Sequence, residues 1–95
     1  SNRFLDIYLD ADTGKIYEFY VRTGQQWDDI DTDAMIDRYA EYLELTGLEK
    51  YEDPNPLLET TPYFAKYTFP GEEGSTTVTI GYYEGIRELF LKVGR

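Results

Sequence analysis

Apolar and polar residues alternate with a period of two in five stretches of this chain, and recur at helical spacing in one. In the first stretch, Leu5, Ile7 and Leu9 share one side while Asp6, Tyr8 and Asp10 share the other. A period of two is the signature of a half-buried β-strand. Tyr17, Phe19 and Val21 repeat the pattern against Glu18, Tyr20 and Arg22. Between these runs, Asp10-Ala-Asp-Thr-Gly14-Lys15 carries turn chemistry: aspartates that cap nearby amides, and a glycine free to take a positive φ. The two runs read as a hairpin.

From Asp33 the period changes. Met35, Ile36, Tyr39, Ala40 and Leu43 form one apolar stripe, so the spacing predicts a helix over 32–46. Asp31 or Thr32 serves as its N-cap, and the neighbouring acids suit the positive end of the helix dipole. Trp27 stands ahead of it as a hydrophobic staple. Gly47 and Leu48 fit a left-handed ending in which Leu48 touches Leu43. Pro54, Pro56 and Pro62 exclude regular helix from the next segment. It reads as a connector tacked to the core by Leu57 and Leu58. Strands follow over 63–69, 75–83 and 86–93, separated by a Pro70–Gly74 turn and a two-residue Glu84-Gly85 loop. In the last of them Leu89, Leu91 and Val93 mark the apolar face; Glu88 and Lys92 mark the other.

The resulting order is β-β-α-β-β-β. It predicts an α+β fold in which an antiparallel five-stranded sheet packs one face on a single helix. The opposite face is left wet, or available for use. With 95 residues the chain suffices for one core, and Ser1-Asn2 reads as the remnant of a cleaved tag, leaving 3–95 as the domain. No apolar run approaches the roughly 18 residues that a membrane span requires.

Charge and composition remove several chemistries. Nineteen acids against nine bases give a net charge of −10, which opposes direct contact with nucleic acid phosphates or anionic lipid. The sequence has no cysteine and no histidine, so it offers no disulfide, thiolate, imidazole base or Cys/His zinc site. No cofactor and no metal are expected. Asp29-Ile-Asp31-Thr-Asp33 has the alternate-acid spacing that opens a calcium loop, but Ala34 stands where that loop needs glycine and Ala40 where it needs a bidentate glutamate. Helix capping accounts for these acids, as turn formation does for Asp10 and Asp12. Abundant carboxylates alone do not make a glycosidase, whose acid pair needs a cleft and a set separation. The expectation is therefore a protein that is not an enzyme.

Tyrosine is the most informative residue type, with ten in the chain. Its ring is apolar and its hydroxyl tolerates water, so on a wet sheet face it either packs across strands and stabilises the sheet or binds a partner. Tyr8, Tyr20, Tyr82 and Tyr83 lie on or near predicted strands and are the candidate ligand-binding residues.

Leu9-Asp-Ala-Asp-Thr-Gly-Lys-Ile16, flanked by strands, resembles the hairpin of PepSY and PepSY-like domains. That resemblance implies a small extracytoplasmic bacterial module, attached to a protease, membrane protein or lipoprotein, that inhibits, binds or regulates. The expected function is a non-catalytic binding or regulatory module at the bacterial cell surface, with another protein or an envelope component as partner. The alternative reading is an acidic decoy that mimics DNA phosphates and blocks a nucleic-acid-binding enzyme. A mimic requires its acids lined along one face.

Overall fold

The computed structural model describes residues 5–51 and 59–94. Within them the chain runs β1 (Leu5–Leu9), β2 (Ile16–Arg22), α1 (Thr32–Leu43), β3 (Glu49–Tyr51), β4 (Tyr63–Phe69), β5 (Thr76–Tyr83) and β6 (Glu88–Gly94). Every strand pairing is antiparallel, and the spatial order is β1-β2-β6-β5-β4-β3. The α+β architecture is thus the expected one. The five predicted strands are joined by a short sixth, β3, in a stretch expected to be connector. The predicted contacts of Leu57 and Leu58 fall outside the described residues.

Each local feature follows from its residues. In the β1–β2 turn, the Asp10 carboxylate accepts from the amides of Asp12 and Thr13 at 2.8 and 3.2 Å, and Gly14 takes φ +71°. Asp31 caps α1 by accepting from the Ala34 amide at 2.9 Å. The helix ends three residues before the predicted point. Glu44 adopts the left-handed conformation that closes the helix, at φ 58°, and the amides of Glu44 and Leu45 donate back to Glu41 and Ala40; Gly47 is left-handed too, at φ 77°, but lies beyond the helix end. This is the expected Schellman closure displaced toward the N-terminus, with Leu45 in place of Leu48 as the apolar residue that folds back. Burying Leu45 against the core outweighs the modest penalty of a left-handed glutamate. The β5–β6 loop is also longer than predicted. Glu84–Ile86 forms a 3-10 turn, Arg87 takes φ 49°, and the strand begins at Glu88.

Connectivity decides which part of the sheet the helix covers. The chain leaves β2, second in the sheet, and re-enters at β3, at the far edge. α1 therefore crosses the middle strands. Ile36 and Ala40 on its stripe, with Met35 and Tyr39 beside them, pack on Phe19, Tyr67, Phe69, Val78, Ile80 and Leu91. Registers Phe19↔Leu91, Leu91↔Ile80 and Val78↔Tyr67 put these strand residues on one face. β1 lies outside the crossing.

Tyrosine hydroxyls lock the helix to the sheet. The β1–β2 register slips between Tyr8 and Leu9, a bulge whose extra residue belongs to β2. Bulges leave backbone groups unpaired. Tyr42 accepts from the Ile16 amide at 2.9 Å and Tyr39 donates to the Ile16 carbonyl. The buried Tyr67 hydroxyl lies 2.7 Å from the Asp33 carboxylate and 2.9 Å from the Thr32 hydroxyl. Its single proton goes to the carboxylate, so Thr32 donates to it.

This arrangement makes stability sensitive to alkali. Burial pushes the Tyr67 hydroxyl up to about 12; the Thr32 bond works against the shift and Asp33 adds to it. Burial, with Tyr42 alongside, pushes Tyr39 up to about 12. Unfolded tyrosine ionises near 10. Below that value both states keep the protons, and the contribution is complete. Above it the unfolded chain sheds protons that the folded chain retains, so stability falls as pH rises from about 10 to about 12. Urea midpoints measured across that window should drop, and Tyr67→Phe should make the drop shallower.

Candidate functional site

The face opposite α1 is built from the alternate residues of the same strands. By register it carries Asp6 and Tyr8 from β1, Glu18 and Tyr20 from β2, Phe90 and Lys92 from β6, and Thr79, Gly81 and Tyr83 from β5. Four rings run across it as a ladder. Tyr8 meets Tyr20 edge-on at 6.2 Å between centroids, Tyr20 lies 5.9 Å from Phe90, and Phe90 stacks on Tyr83 at 5.0 Å. Lys92 holds its ammonium over both Phe90 and Tyr20, at 5.1 and 5.6 Å from the ring centres. These separations match favourable aromatic and cation–π geometry.

The ladder is graded from core to rim. Phe90 is buried although it is on the open side, roofed by its neighbours; Tyr8 is exposed. Gly81, opposite Phe90 across β5–β6, makes room for the ring: a Cβ there would come within 2.9 Å of three of its carbons. Tyr20 donates to Glu18 at 2.7 Å. Burial first, then this bond, raises the Tyr20 hydroxyl well above the usual tyrosine range, so it stays a neutral donor. The Tyr83 hydroxyl meets that of Thr60 at 2.8 Å, and Lys66 pairs with Glu59 beside Phe64. The face thus offers flat apolar rings rimmed by fixed polar groups, an arrangement suited to recognition.

Of the four tyrosines singled out by sequence, Tyr8, Tyr20 and Tyr83 come together here. Tyr82 does not. It shares the parity of Val78 and Ile80, so it lies on the helix face, where it is buried and donates to the Gln25 carbonyl at 2.8 Å. Phe90 and Gly81 were missed. The signal for Phe90 was available: it alternates with Leu89 and Leu91, so a strand there must turn it to the other side.

Trp27 has a different role from a staple. The residue ahead of the Asp31 cap is Ile30, whereas Trp27 opens a separate 3-10 turn, Trp27–Asp29. Its ring packs 6.5 Å from Tyr63 and 6.4 Å from Tyr82, closing one end of the sheet. Beside it a cavity of about 400 Å³ is lined by Trp27, Asp28, Tyr63, Glu84 and Arg87 among others. A hydrogen bond to Glu84 raises the Tyr63 hydroxyl above its ordinary value. The carboxylates read as a possible calcium opening are engaged locally, Asp31 by the Ala34 amide and Asp33 by Tyr67.

Among the described residues no helix is long and apolar enough to cross a membrane. Comparison with known proteins returns no match: no family model fits the chain, and no curated protein or solved structure is significantly similar to it.

Proposed function

We propose that this chain is a non-catalytic binding or regulatory module of a bacterial extracytoplasmic protein or lipoprotein, and that it engages a protein or envelope partner through the open sheet face. One observation carries the reading: the Tyr8–Tyr20–Phe90–Tyr83 ladder lies on the side of the sheet that the helix leaves uncovered. Rigid aromatic rings supply large contact area at small entropic cost, which is why tyrosine is enriched where proteins bind. The extracytoplasmic setting rests on the PepSY-like Leu9–Ile16 hairpin. A net charge of −10 favours a partner with basic groups at the rim.

A second reading, the acidic decoy, is favoured by a separate observation. Asp33, Asp37 and Glu41 stand one helical turn apart and are all exposed along α1. They form an evenly spaced acidic line on a rigid rod, about 6 Å per step.

A single experiment separates the two. A photoreactive phenylalanine analogue is placed at Tyr20, at Tyr83 or at Glu41, and each protein is irradiated with a bacterial envelope fraction and with a cytosolic fraction. The first reading expects adducts with an envelope protein from Tyr20 and Tyr83 and none from Glu41. Adducts from Glu41 alone, with basic nucleic-acid-binding proteins, would replace it with the decoy. Absence of any adduct contradicts both.

A further inference from the structure

We infer that β1 is a self-association edge, pairing antiparallel with β1 of a second copy about a two-fold axis at Ile7. The inference concerns the strand edge beside the aromatic face, with Tyr8 common to both, and does not depend on what that face binds.

Three observations converge on it. Among the described residues, β1 is the terminal strand of the sheet and has no strand on its outer side. An open edge of this kind is a template for another strand. Next, Leu5, Ile7 and Leu9 point to the same side as Val21 and Phe19, yet they take no part in the helix–sheet core, and they remain 58, 47 and 57 % exposed. Phe19, the β2 partner of Ile7, also lines a groove of about 270 Å³ together with Met35, Arg38, Tyr39, Tyr42 and Leu91. Three large aliphatic residues in succession on an unpaired edge are what natural sheets avoid unless the edge is used.

The third observation selects the occupant. The sequence Leu5-Asp-Ile-Tyr-Leu9 is self-complementary about its centre. Antiparallel pairing centred on Ile7 sets Leu5 against Leu9 of the second copy, Ile7 against Ile7, and Asp6 against Tyr8. Every apolar residue then meets an apolar one, and each carboxylate meets a phenol. Centring on Asp6 would oppose the two Asp6 carboxylates, and centring on Tyr8 would oppose Asp6 and Asp10, both unfavourable like-charge pairs. Centring between residues would turn the apolar row of one copy to the polar side of the other. The two-fold axis runs perpendicular to the sheet, so both helices lie on one side and both ladders on the other. Tyr8 and its symmetry mate become diagonal neighbours, about 7–8 Å apart. The two four-ring ladders then join into one ridge of eight.

The seam is five residues long, about 17 Å. Five residues a side bury less than the roughly 1,000 Å² of a stable interface, so the association belongs to the weak class. Each copy carries −10, and the five residues of the contact include no base to form an ion pair. Added salt should therefore strengthen it, the reverse of an interface held by ion pairs.

Sedimentation velocity over a range of protein concentrations tests the association. The dissociation constant is expected to fall by roughly three- to tenfold between about 50 and about 500 mM NaCl, as repulsion is screened. Ile7→Lys should abolish the dimer while leaving the thermal melt unchanged, because the position is exposed. Register is read by cross-linking, since the chain has no cysteine of its own. Ile7→Cys should form a disulfide-linked dimer under mild oxidation, and neither Leu5→Cys nor Leu9→Cys alone should do so. An equal mixture of those two should form the heterodimer. A monomer at all concentrations in high salt, a dimer that dissociates with salt, or cross-linking from Leu5→Cys as fast as from Ile7→Cys would each overturn the inference.

Discussion

Ile36→Ala is expected to lower the unfolding free energy by about 3–4 kcal/mol, within the range for large-to-small changes at fully buried aliphatic sites. Ile36 is 0 % exposed and sits at the centre of the α1 stripe, against the residues that β4, β5 and β6 send to the helix face. Truncation removes its apolar transfer energy and leaves a cavity between helix and sheet. A rigid sheet held by four long pairings cannot collapse into that space. For a domain of this length the change lowers the melting temperature by roughly 12–32 °C. Ile36→Val, which deletes one methylene, should cost about 1 kcal/mol. Chemical denaturation of the two variants checks both values. Equal effects would place the helix on some other surface.

The second large effect belongs to the other face. Gly81→Ala is expected to cost about 2–3 kcal/mol, the range for overpacking a well-filled site. The added Cβ would collide with the Phe90 ring. A ring at the end of a side chain can often move aside; this one is 2 % exposed and held between Tyr20 and Tyr83. Gly81 is therefore in place because a ring lies over its backbone, with no unusual dihedral involved. The signature is a rescue: Phe90→Leu should be destabilising alone yet should recover a large part of the loss caused by Gly81→Ala. Simple additivity in the double-mutant cycle would contradict the contact.

Much of this was legible in the sequence, for identifiable reasons. The hairpin turn declared itself because Asp10 and Gly14 each satisfy a local backbone demand. The α1 stripe was clear because helical periodicity is a long signal. What escaped depended on tertiary partners. β3 is three residues long and carries no pattern of its own; it is a strand because β4 offers it an edge. The helix stops at Leu43 because burying Leu45 favours a left-handed Glu44, and glycine is only the commonest residue for that position. Tyr82 was grouped with Tyr83, although adjacent strand residues point to opposite faces and only one of them can serve each side. Parity counted from Val78 and Ile80 separates them, and parity counted from Leu89 and Leu91 brings in Phe90.

The candidate face was thus half visible. Sequence named Tyr8, Tyr20 and Tyr83 but not their common order, which comes from the β2–β6 pairing. That pairing joins residues some seventy positions apart and has no local signature. Once it forms, the rings line up without further instruction.

The helix closes one face of the sheet, and the function proposed above requires the aromatic ladder on the other to bind the partner. The most direct test compares affinities for the envelope protein captured through Tyr83, using Tyr8→Ser with Tyr83→Ser on the ladder and Tyr42→Ser on the helix side. The ladder pair should weaken binding at least about 30-fold, the effect of losing one strong anchor of about 2 kcal/mol. Tyr42→Ser should leave it unchanged. Undiminished binding by the ladder pair, or an equal loss from Tyr42→Ser, would contradict the account.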